Sequence, residues 1–317
     1  MAQRPTALDM SGGDSSETGR RKLRPRTDRH EVVAIFGPTA SGKSEVAAKL
    51  AARLHTEVVS ADAMQVYRGL PILTNQPAQP TRLVAIRALD EEMSLGAFAA
   101  TAHTEIDALV AIHGVAVVAG GTGLYLRAAL ADLDVPPRVE PPRRERIQRE
   151  VDSDCTAAHA RLAGLDPGAA AVVHPNDRKR LVRALELAEV GHSLVANDRL
   201  WSSSTRRPTL IVGLDVPSDE LERRIRQRTE VMFARGVVEE VRAALLAPPS
   251  RTAEKTLGLR EIVELEPEEA RERIVVRTRR YAAYQRKWMS RIQDIVRVDG
   301  LRPVEDIVDE VLALVRR

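Results

Sequence analysis

A glycine-rich segment of eight residues constrains this chain more than any other feature. Gly37-Pro38-Thr39-Ala40-Ser41-Gly42-Lys43-Ser44 has the spacing G-x-x-x-x-G-K-[ST]. The apolar, β-branched run 32–36 before it predicts a buried parallel strand, and 45–54 after it predicts a helix. In that context, backbone N–H groups and the helix N-terminus converge on phosphate oxygens. We therefore predict a phosphate-binding loop, with Lys43 against the distal phosphates and the Ser44 hydroxyl toward Mg²⁺.

The segments after the loop continue the alternation of strands and helices. Residues 57–60, 115–119 and 210–214 are apolar runs that predict three further strands, and 97–111 predicts a helix. After Pro217 the pattern predicts helices only, over 219–236, 237–246, 259–265, 268–289 and 303–315. This order indicates an α/β fold of the P-loop NTPase-like type, with a doubly wound parallel sheet.

The chain divides into three parts by composition. Residues 1–30 lack periodicity and are rich in Ser, Gly, Arg and Asp, so we predict a disordered tail. The strand pattern stops between 135 and 204, where four prolines open a helical stretch. We therefore predict a catalytic core of 31–134 and 205–317, interrupted by a helical insertion domain of 135–204.

Composition excludes several classes of protein. The single cysteine, Cys155, excludes a disulfide framework, and 3% aromatic residues argue against a broad base-stacking platform. No apolar run approaches the ~18 residues of a membrane span, and the N-terminus lacks a secretory h-region, so we expect a cytoplasmic protein. The net charge of +3 lies wholly in residues 1–30, with seven basic and four acidic side chains. Any anion site in the core must therefore arise from local arrangement.

The position of the first acidic residue after a strand is unusual for a nucleoside triphosphatase. Those enzymes usually carry a Mg²⁺-binding Asp on a later strand, but strand 115–119 ends in Gly120-Gly121-Thr122. Instead, Asp62 follows strand 57–60. Because carboxyl ends of parallel strands converge, Asp62 should lie near the phosphate loop. There it could orient Mg²⁺, act as a base on an incoming nucleophile, or simply cap a helix.

Several further motifs follow the phosphate loop 37–44 along the chain. They are Asp62-Ala63-Met64-Gln65-Val66-Tyr67-Arg68-Gly69, Gly120-Gly121-Thr122-Gly123-Leu124-Tyr125, His174-Pro175-Asn176-Asp177 through Glu186, Arg224 to Val241, Gly258 and Glu261, and Thr278-Arg279-Arg280-Tyr281-Ala282 with Gln285. With these motifs in this order, the chain resembles the tRNA dimethylallyltransferases, also called tRNA isopentenyltransferases or IPP transferases, in their bacterial form. The resemblance extends from Val32 to Trp288.

The resemblance implies a function: transfer of a dimethylallyl group from dimethylallyl diphosphate to N6 of adenosine 37, beside the tRNA anticodon. The loop would then hold a diphosphate rather than ATP, together with Mg²⁺ on Ser44. Asp62 would be the base, with Thr39 and Arg228 as further catalytic residues. It implies tRNA contacts from Asp62, Ala63, Met64, Gln65, Thr122, Arg144, Lys179, Arg180, Arg183, Lys255, Gly258 and Arg260. We expect a monomer that does not associate with membranes.

Four residues at three places depart from the family pattern. Ala63 replaces a serine, Leu259 a tyrosine, and Ala283-Tyr284 a basic pair. These departures leave one alternative open, a non-catalytic tRNA-binding relative. The other alternative is a nucleoside or small-molecule kinase that uses the same loop with ATP.

The local sorting of charge predicts that RNA binding does not depend on the tail. Basic residues collect at 143–149, 178–183, 223–228 and 277–291. Deletion of residues 1–30 should therefore leave a modest, salt-dependent tRNA affinity in place. Filter binding at several salt concentrations measures it, and loss of binding on deletion would assign the RNA contact to the tail.

Overall fold

The computed structural model describes residues 30–133, 139–195 and 203–315. Within these ranges six strands form one parallel sheet in the order β3-β2-β4-β1-β5-β6. The strands are β1 Val32–Phe36, β2 Val58–Ser60, β3 Thr81–Arg82, β4 Ala116–Gly120, β5 Thr209–Asp215 and β6 Val296–Asp299. The predicted tail lies outside the described residues, apart from His30.

Helices alternate with the strands and extend beyond them at the C-terminal end. They are α1 Lys43–Arg53, α2 Leu95–His113, α3 Gly123–Leu130, α4 Pro141–Ser153, α5 Cys155–Leu165, α6 Pro167–Val172, α7 Arg178–Ala188, α8 Ser218–Ala234, α9 Val237–Ala244, α10 Leu259–Glu264, α11 Pro267–Met289 and α12 Val304–Val315. A 3₁₀ turn, Ala253–Lys255, precedes α10.

The central strand β1 is buried on both of its faces. Val33 and Ile35 belong to a cluster that packs under α1 and α12. Ala34 and Phe36 belong to the cluster on the opposite face, which includes Phe98 of α2 and residues of α11. A strand covered on both faces reads as a continuous apolar run, because neither face meets water. The predicted α/β fold with a doubly wound parallel sheet is thus confirmed.

Two strands were missing from the prediction, and both lie at sheet edges. β3 has only two residues, and Arg82 ion-pairs with Glu57 and Glu105 at 2.9 and 2.5 Å. β6 alternates between the buried Val298 and exposed neighbours. Edge strands are short and charged in many proteins, since this blocks pairing with other chains. Such strands lack the long apolar run that marks the central ones.

The helices α4 to α7 have a hydrophobic cluster of their own, centred on Ile147, Leu162, Leu181 and Leu185. They lie between β4 and β5 in the chain. Asp177 caps α7, because its Oδ1 accepts a hydrogen bond from the Arg180 N–H at 3.1 Å. The parts of the predicted insertion at 135–138 and 196–202 lie outside the described residues.

Helix α2 has the length and apolar composition of a membrane span, contrary to the expectation from apolar runs. The helix is rich in alanine, and its polar residues are isolated, so its average composition is apolar although it contains no long apolar run. In the structure its buried residues Phe98, Ala102, Ile106 and Leu109 belong to the large core cluster beside the sheet. The contacts of α2 are thus those of a core helix.

The start of α3 makes a testable packing contact. A Cβ at Gly123 would overlap the Trp288 indole, so Gly123→Ala must displace α11. We expect a loss of about 1–3 kcal/mol in the free energy of unfolding, measured by denaturant titration. Gly164→Ala in α5 is the matched control, because a Cβ there meets nothing within 4 Å. Equal effects of the two variants would contradict the packing argument.

Candidate active site

The predicted phosphate loop joins β1 to α1 in the central part of the sheet. Ala40 and Gly42 have positive φ angles of 64° and 89°, which turn the chain sharply into the helix. The Lys43 and Ser44 amides belong to the first turn of α1, where N–H groups have no carbonyl partner within the helix. The loop therefore presents backbone donors at a helix N-terminus, the arrangement that binds phosphate.

Two half-buried cations lie at this site, Lys43 within the loop and Arg228 beside it. Lys43 Nζ donates to the Pro38 carbonyl oxygen at 3.3 Å, and burial lowers the pKa of Lys43 to about 8, with a further lowering by Arg228. Arg228 Nη1 donates to Thr39 Oγ1 at 3.1 Å, and burial also lowers its pKa. Asp62 raises the pKa of both cations and so offsets part of this effect. The three predicted catalytic residues and Lys43 therefore lie together.

A close approach of two strand ends places Asp62 in this group. A Cβ at Gly120 would overlap the Ala61 carbonyl group, so β4 can end beside β2 only with glycine at this position. The Ala61 N–H donates to the Ala119 carbonyl oxygen at 2.7 Å. Asp62 Oδ1 then accepts from the Met64 N–H at 2.9 Å, which forms an Asx turn rather than a helix cap.

Helix α11 supplies two residues that sequence reasoning did not assign to the site. Gln285, 1% exposed, accepts from the Thr39 N–H at 2.7 Å and donates to the Gly121 carbonyl oxygen at 2.8 Å. The Tyr281 hydroxyl lies 2.9 Å from Thr122 Oγ1, and burial raises its pKa. Both residues belong to the segment 278–288 that carried the resemblance, and this was the available signal.

A pocket with about 1140 Å³ of empty space, part of it open to solvent, lies between these elements. Its polar lining includes Thr39, Lys43, Asp62 and Arg228. Among the described residues that line it, Asp62 is the only carboxylate. Its apolar lining consists mainly of Leu73, Ile225, Met232, Leu257 and Ile274. The pocket thus combines an anion site with apolar side chains.

The segment 70–76 forms one wall of the pocket and is held by two side chains. Glu240 of α9 accepts from the Ile72 and Leu73 N–H groups at 2.7 and 2.8 Å. Gln65 donates to the Asn75 carbonyl oxygen at 3.0 Å and accepts from Ser60 Oγ at 2.9 Å. Gln65, predicted as a tRNA contact, is therefore engaged with its own chain.

The other predicted RNA contacts occupy two regions. Burial lowers the pKa of Lys255, and the nearby charges of Arg251, Arg144 of α4 and Lys179 of α7 lower it further. We call Arg144, Lys179, Arg251 and Lys255 the cationic cluster; Arg251 was not predicted. The remaining predicted contacts lie elsewhere: Ala63 and Met64 border Asp62, Arg180 is exposed on α7, Arg183 contacts Glu186, Gly258 precedes α10 with φ 97°, and Arg260 lies 3.8 Å from Glu254.

The four arginines of α8 point in different directions, as the helical spacing predicts. Arg228 lines the pocket, and Arg224 donates to the Ala40 carbonyl oxygen at 3.4 Å. Arg223 and Arg226 pair with Glu220 and Glu222, and Arg224 also contacts Glu220 at 2.6 Å. Two of the four therefore contact the phosphate loop.

A sequence model of the family described as IPP transferase matches residues 65–292. The chain belongs to the IPP transferase family. A tRNA dimethylallyltransferase of Anaeromyxobacter dehalogenans is 40% identical over 284 residues, which cover 84% of this chain and 93% of that protein. One of Corynebacterium jeikeium is 35% identical and covers 86% of this chain and 92% of its own length.

Solved structures show the same IPP transferase architecture. The full-length tRNA isopentenylpyrophosphate transferase of Bacillus halodurans has a TM-score of 0.65 and 28% identity, covering 91% of this chain and 97% of that chain. A eukaryotic dimethylallyltransferase acting on tRNA has a TM-score of 0.69 and 25% identity, covering 85% of this chain and 73% of that chain.

Two departures from the IPP transferase pattern have a structural place. Leu259 is buried in the large core cluster, so an apolar side chain suits its position. Tyr284 is half-exposed, and its ring meets Trp288 edge-on, with centroids 6.4 Å apart. Neither residue lines the pocket described above.

The lowered pKa of Lys43 predicts a pH-dependent anion affinity. A bound diphosphate favours the charged lysine and therefore raises its pKa. Below about pH 8 the free lysine is already charged; above it, binding must take up a proton. We expect the Kd of inorganic diphosphate to rise about tenfold per pH unit above this point, measured by calorimetry without divalent cations.

The Lys43→Arg variant is the control for this titration. It keeps a positive charge that does not titrate in this range. Its diphosphate affinity should follow only the ionisation of the diphosphate itself. The same pH profile in both proteins would show that Lys43 does not titrate on binding.

Proposed function

We propose that the chain transfers a dimethylallyl group from dimethylallyl diphosphate to N6 of adenosine 37 in tRNA. The observation that carries the proposal is a single pocket that combines a phosphate loop, two half-buried cations, one carboxylate and apolar side chains. The naming of its relatives as tRNA dimethylallyltransferases supports the same reaction. We further propose that it acts in the cytoplasm as a monomer, away from membranes.

The polar and the apolar lining residues of the pocket suit the two ends of an allylic diphosphate. The diphosphate would accept hydrogen bonds from the first amides of α1 and from Lys43 and Arg228. The five-carbon chain would contact the apolar side chains of Ile225, Met232 and Leu257. Burial of an apolar chain there releases water from its surface, at about 25 cal/mol per Å².

The reaction needs one base and one stabilised leaving group. N6 of adenosine attacks C1 of the allyl group, the C1–O bond breaks, and the bonding electrons leave with the diphosphate. The N6 proton passes to the Asp62 carboxylate, which is the available acceptor in the pocket. Lys43 and Arg228 stabilise the growing negative charge on the diphosphate, and they are in place before the reaction begins.

Mg²⁺ would neutralise part of the diphosphate charge. The described residues contain no cluster of three or more His, Cys, Asp or Glu that could hold a metal ion. This fits Mg²⁺ held mainly by substrate oxygens and water, with the Ser44 hydroxyl as a protein ligand, because Mg²⁺ binds phosphates without an all-protein cage.

For adenosine N6 to reach Asp62, the adenosine must be extruded from the anticodon loop. N6 is the reacting atom and must enter the pocket, so the nucleotide has to leave its stack. The cationic cluster would hold the RNA backbone at the insertion domain. The chain would thus bind tRNA between α7 and the core segment 251–260.

A small-molecule kinase remains the second candidate because it would use the same loop. Such an enzyme usually needs a carboxylate at the end of a neighbouring strand for Mg²⁺. β4, which lies beside β1, ends in Gly120 and continues as Gly121-Thr122. This feature favours prenyl transfer.

One assay distinguishes the candidates. Labelled dimethylallyl diphosphate, Mg²⁺ and an anticodon stem-loop with adenosines at positions 36 to 38 are incubated with the chain. We expect label on the RNA and release of diphosphate. Binding of RNA without transfer would favour the non-catalytic relative, and ATP-dependent phosphorylation of a small molecule would favour the kinase.

The role of Asp62 is tested by Asp62→Asn. Asparagine keeps an oxygen that can accept from the Met64 N–H, so the turn is preserved. We expect kcat to fall by about 10²–10⁴-fold, since the base is lost. Stem-loop Kd should stay within about tenfold of wild type. A collapse of RNA binding would make the role of Asp62 structural.

A further inference from the structure

Glu186 is a buried carboxylate that touches two predicted RNA-binding residues. Its side chain is 1% exposed. Oε1 and Oε2 accept from Arg144 Nη1 at 3.0 and 3.3 Å, and Oε2 also accepts from Arg183 Nη1 at 3.2 Å. Arg144 comes from α4, and Arg183 from α7, so a single carboxylate holds guanidinium groups of two helices.

The two arginines are not buried with their partner. The Arg144 and Arg183 side chains are 39% and 31% exposed. In Arg144 both contacts with Glu186 come from one nitrogen, Nη1, so the edge formed by Nε and Nη2 is not used by this carboxylate. A guanidinium held on one edge can offer its other edge to a phosphate.

The surroundings point toward an anionic partner. Lys179, Arg183 and Glu186 are spaced i, i+4 and i+7, so they share one stripe of α7. Arg144 and Lys179 also belong to the cationic cluster with Arg251 and Lys255, contributed by the core. Glu92 offsets part of this positive charge through its ion pair with Arg251 at 3.6 Å. The remaining like charges from three segments repel one another, and a polyanion relieves that repulsion.

We propose that Glu186 is a positioning residue that orients Arg144 and Arg183 toward the phosphates of the RNA substrate. The inference rests on the proposed function, since it takes RNA as the partner. Glu186 makes no contact with the substrate itself. It restricts two long side chains before RNA arrives, which lowers the entropy lost when they bind phosphate.

A purely structural role for Glu186 is the competing explanation. Yet α4 and α7 are already joined by the apolar cluster of Ile147, Val151 and Leu181. A second carboxylate, Glu189, also ties these helices, accepting from Arg146 and Arg161 at 2.6 and 2.8 Å. Buried ion pairs add little net stability in general. Glu189 therefore provides a matched control, because neither Arg146 nor Arg161 is among the individual residues that the resemblance names as tRNA contacts.

The test compares Glu186→Gln with Glu189→Gln on the full chain. For Glu186→Gln we expect the Kd of the anticodon stem-loop to rise about five- to tenfold, with a salt dependence shallower by about one phosphate contact. KM for the RNA should rise while kcat and KM for dimethylallyl diphosphate hold. Glu189→Gln should lower Tm without changing the stem-loop Kd.

Two outcomes would overturn the proposal. One is a Glu186→Gln protein that binds the stem-loop as tightly as wild type or more tightly, since removal of a negative charge alone favours RNA. The other is an equal loss of affinity in both variants. The proposed function fails separately, when the wild-type chain binds the stem-loop but transfers no prenyl group.

Arg144→Lys covers the case in which Glu186→Gln does not fold. Lysine keeps the charge but lacks the planar fork that spans a carboxylate and a phosphate. We expect a stem-loop Kd raised about threefold, with an unchanged salt slope. Wild-type affinity in this variant would count against an oriented guanidinium.

Discussion

The buried amide of Gln285 is the interaction on which the site depends. It joins the phosphate loop to the end of β4, because it accepts from the Thr39 N–H and donates to the Gly121 carbonyl oxygen. A main-chain N–H only donates and a carbonyl only accepts, so these partners fix the orientation of the amide. A Cβ at Gly121 would overlap Gln285, and this explains why glycine follows the strand. Helix α11 therefore sets the distance between the anion-binding loop and the strand beside Asp62.

The charges around this framework favour an anion before any ligand binds. Lys43 and Arg228 both lose hydration in the pocket, which lowers the pKa of each, and Asp62 is the one carboxylate among the described lining residues. Burial of two cations with one partner opposes folding, since each loses hydration. A diphosphate would restore the balance of charge, and the same desolvation would then strengthen its binding. The free energy that folding loses by dehydrating the two cations is thus linked to the affinity of the pocket for an anion.

The central strands of the sheet could be predicted from the sequence, whereas its two edge strands could not. β1 and β4 are apolar throughout because both faces are covered, so their composition alone marks them as strands. β3 and β6 have one exposed edge and too few apolar residues to be distinguished from loops. At the site, the loop and Asp62 were predicted because each follows a strand directly. Gln285 and Tyr281 act from a helix distant in the chain, and no local pattern shows which residues they contact. The assigned roles of the site residues stay predictions.

Local pairing explains how a core of almost neutral charge can present cations to RNA. Arg161 forms ion pairs with Glu150 and Glu189, so acidic and basic groups neutralise one another within helices α4 to α7. Glu186 instead lies beneath its two arginines, so its negative charge is withdrawn from the surface while theirs is not. The field that an approaching phosphate meets depends on which member of each pair is exposed, rather than on the sum of charges. A neutral composition is therefore compatible with a polyanion partner, and a weak overall field would favour release of the product, because fewer phosphates are neutralised.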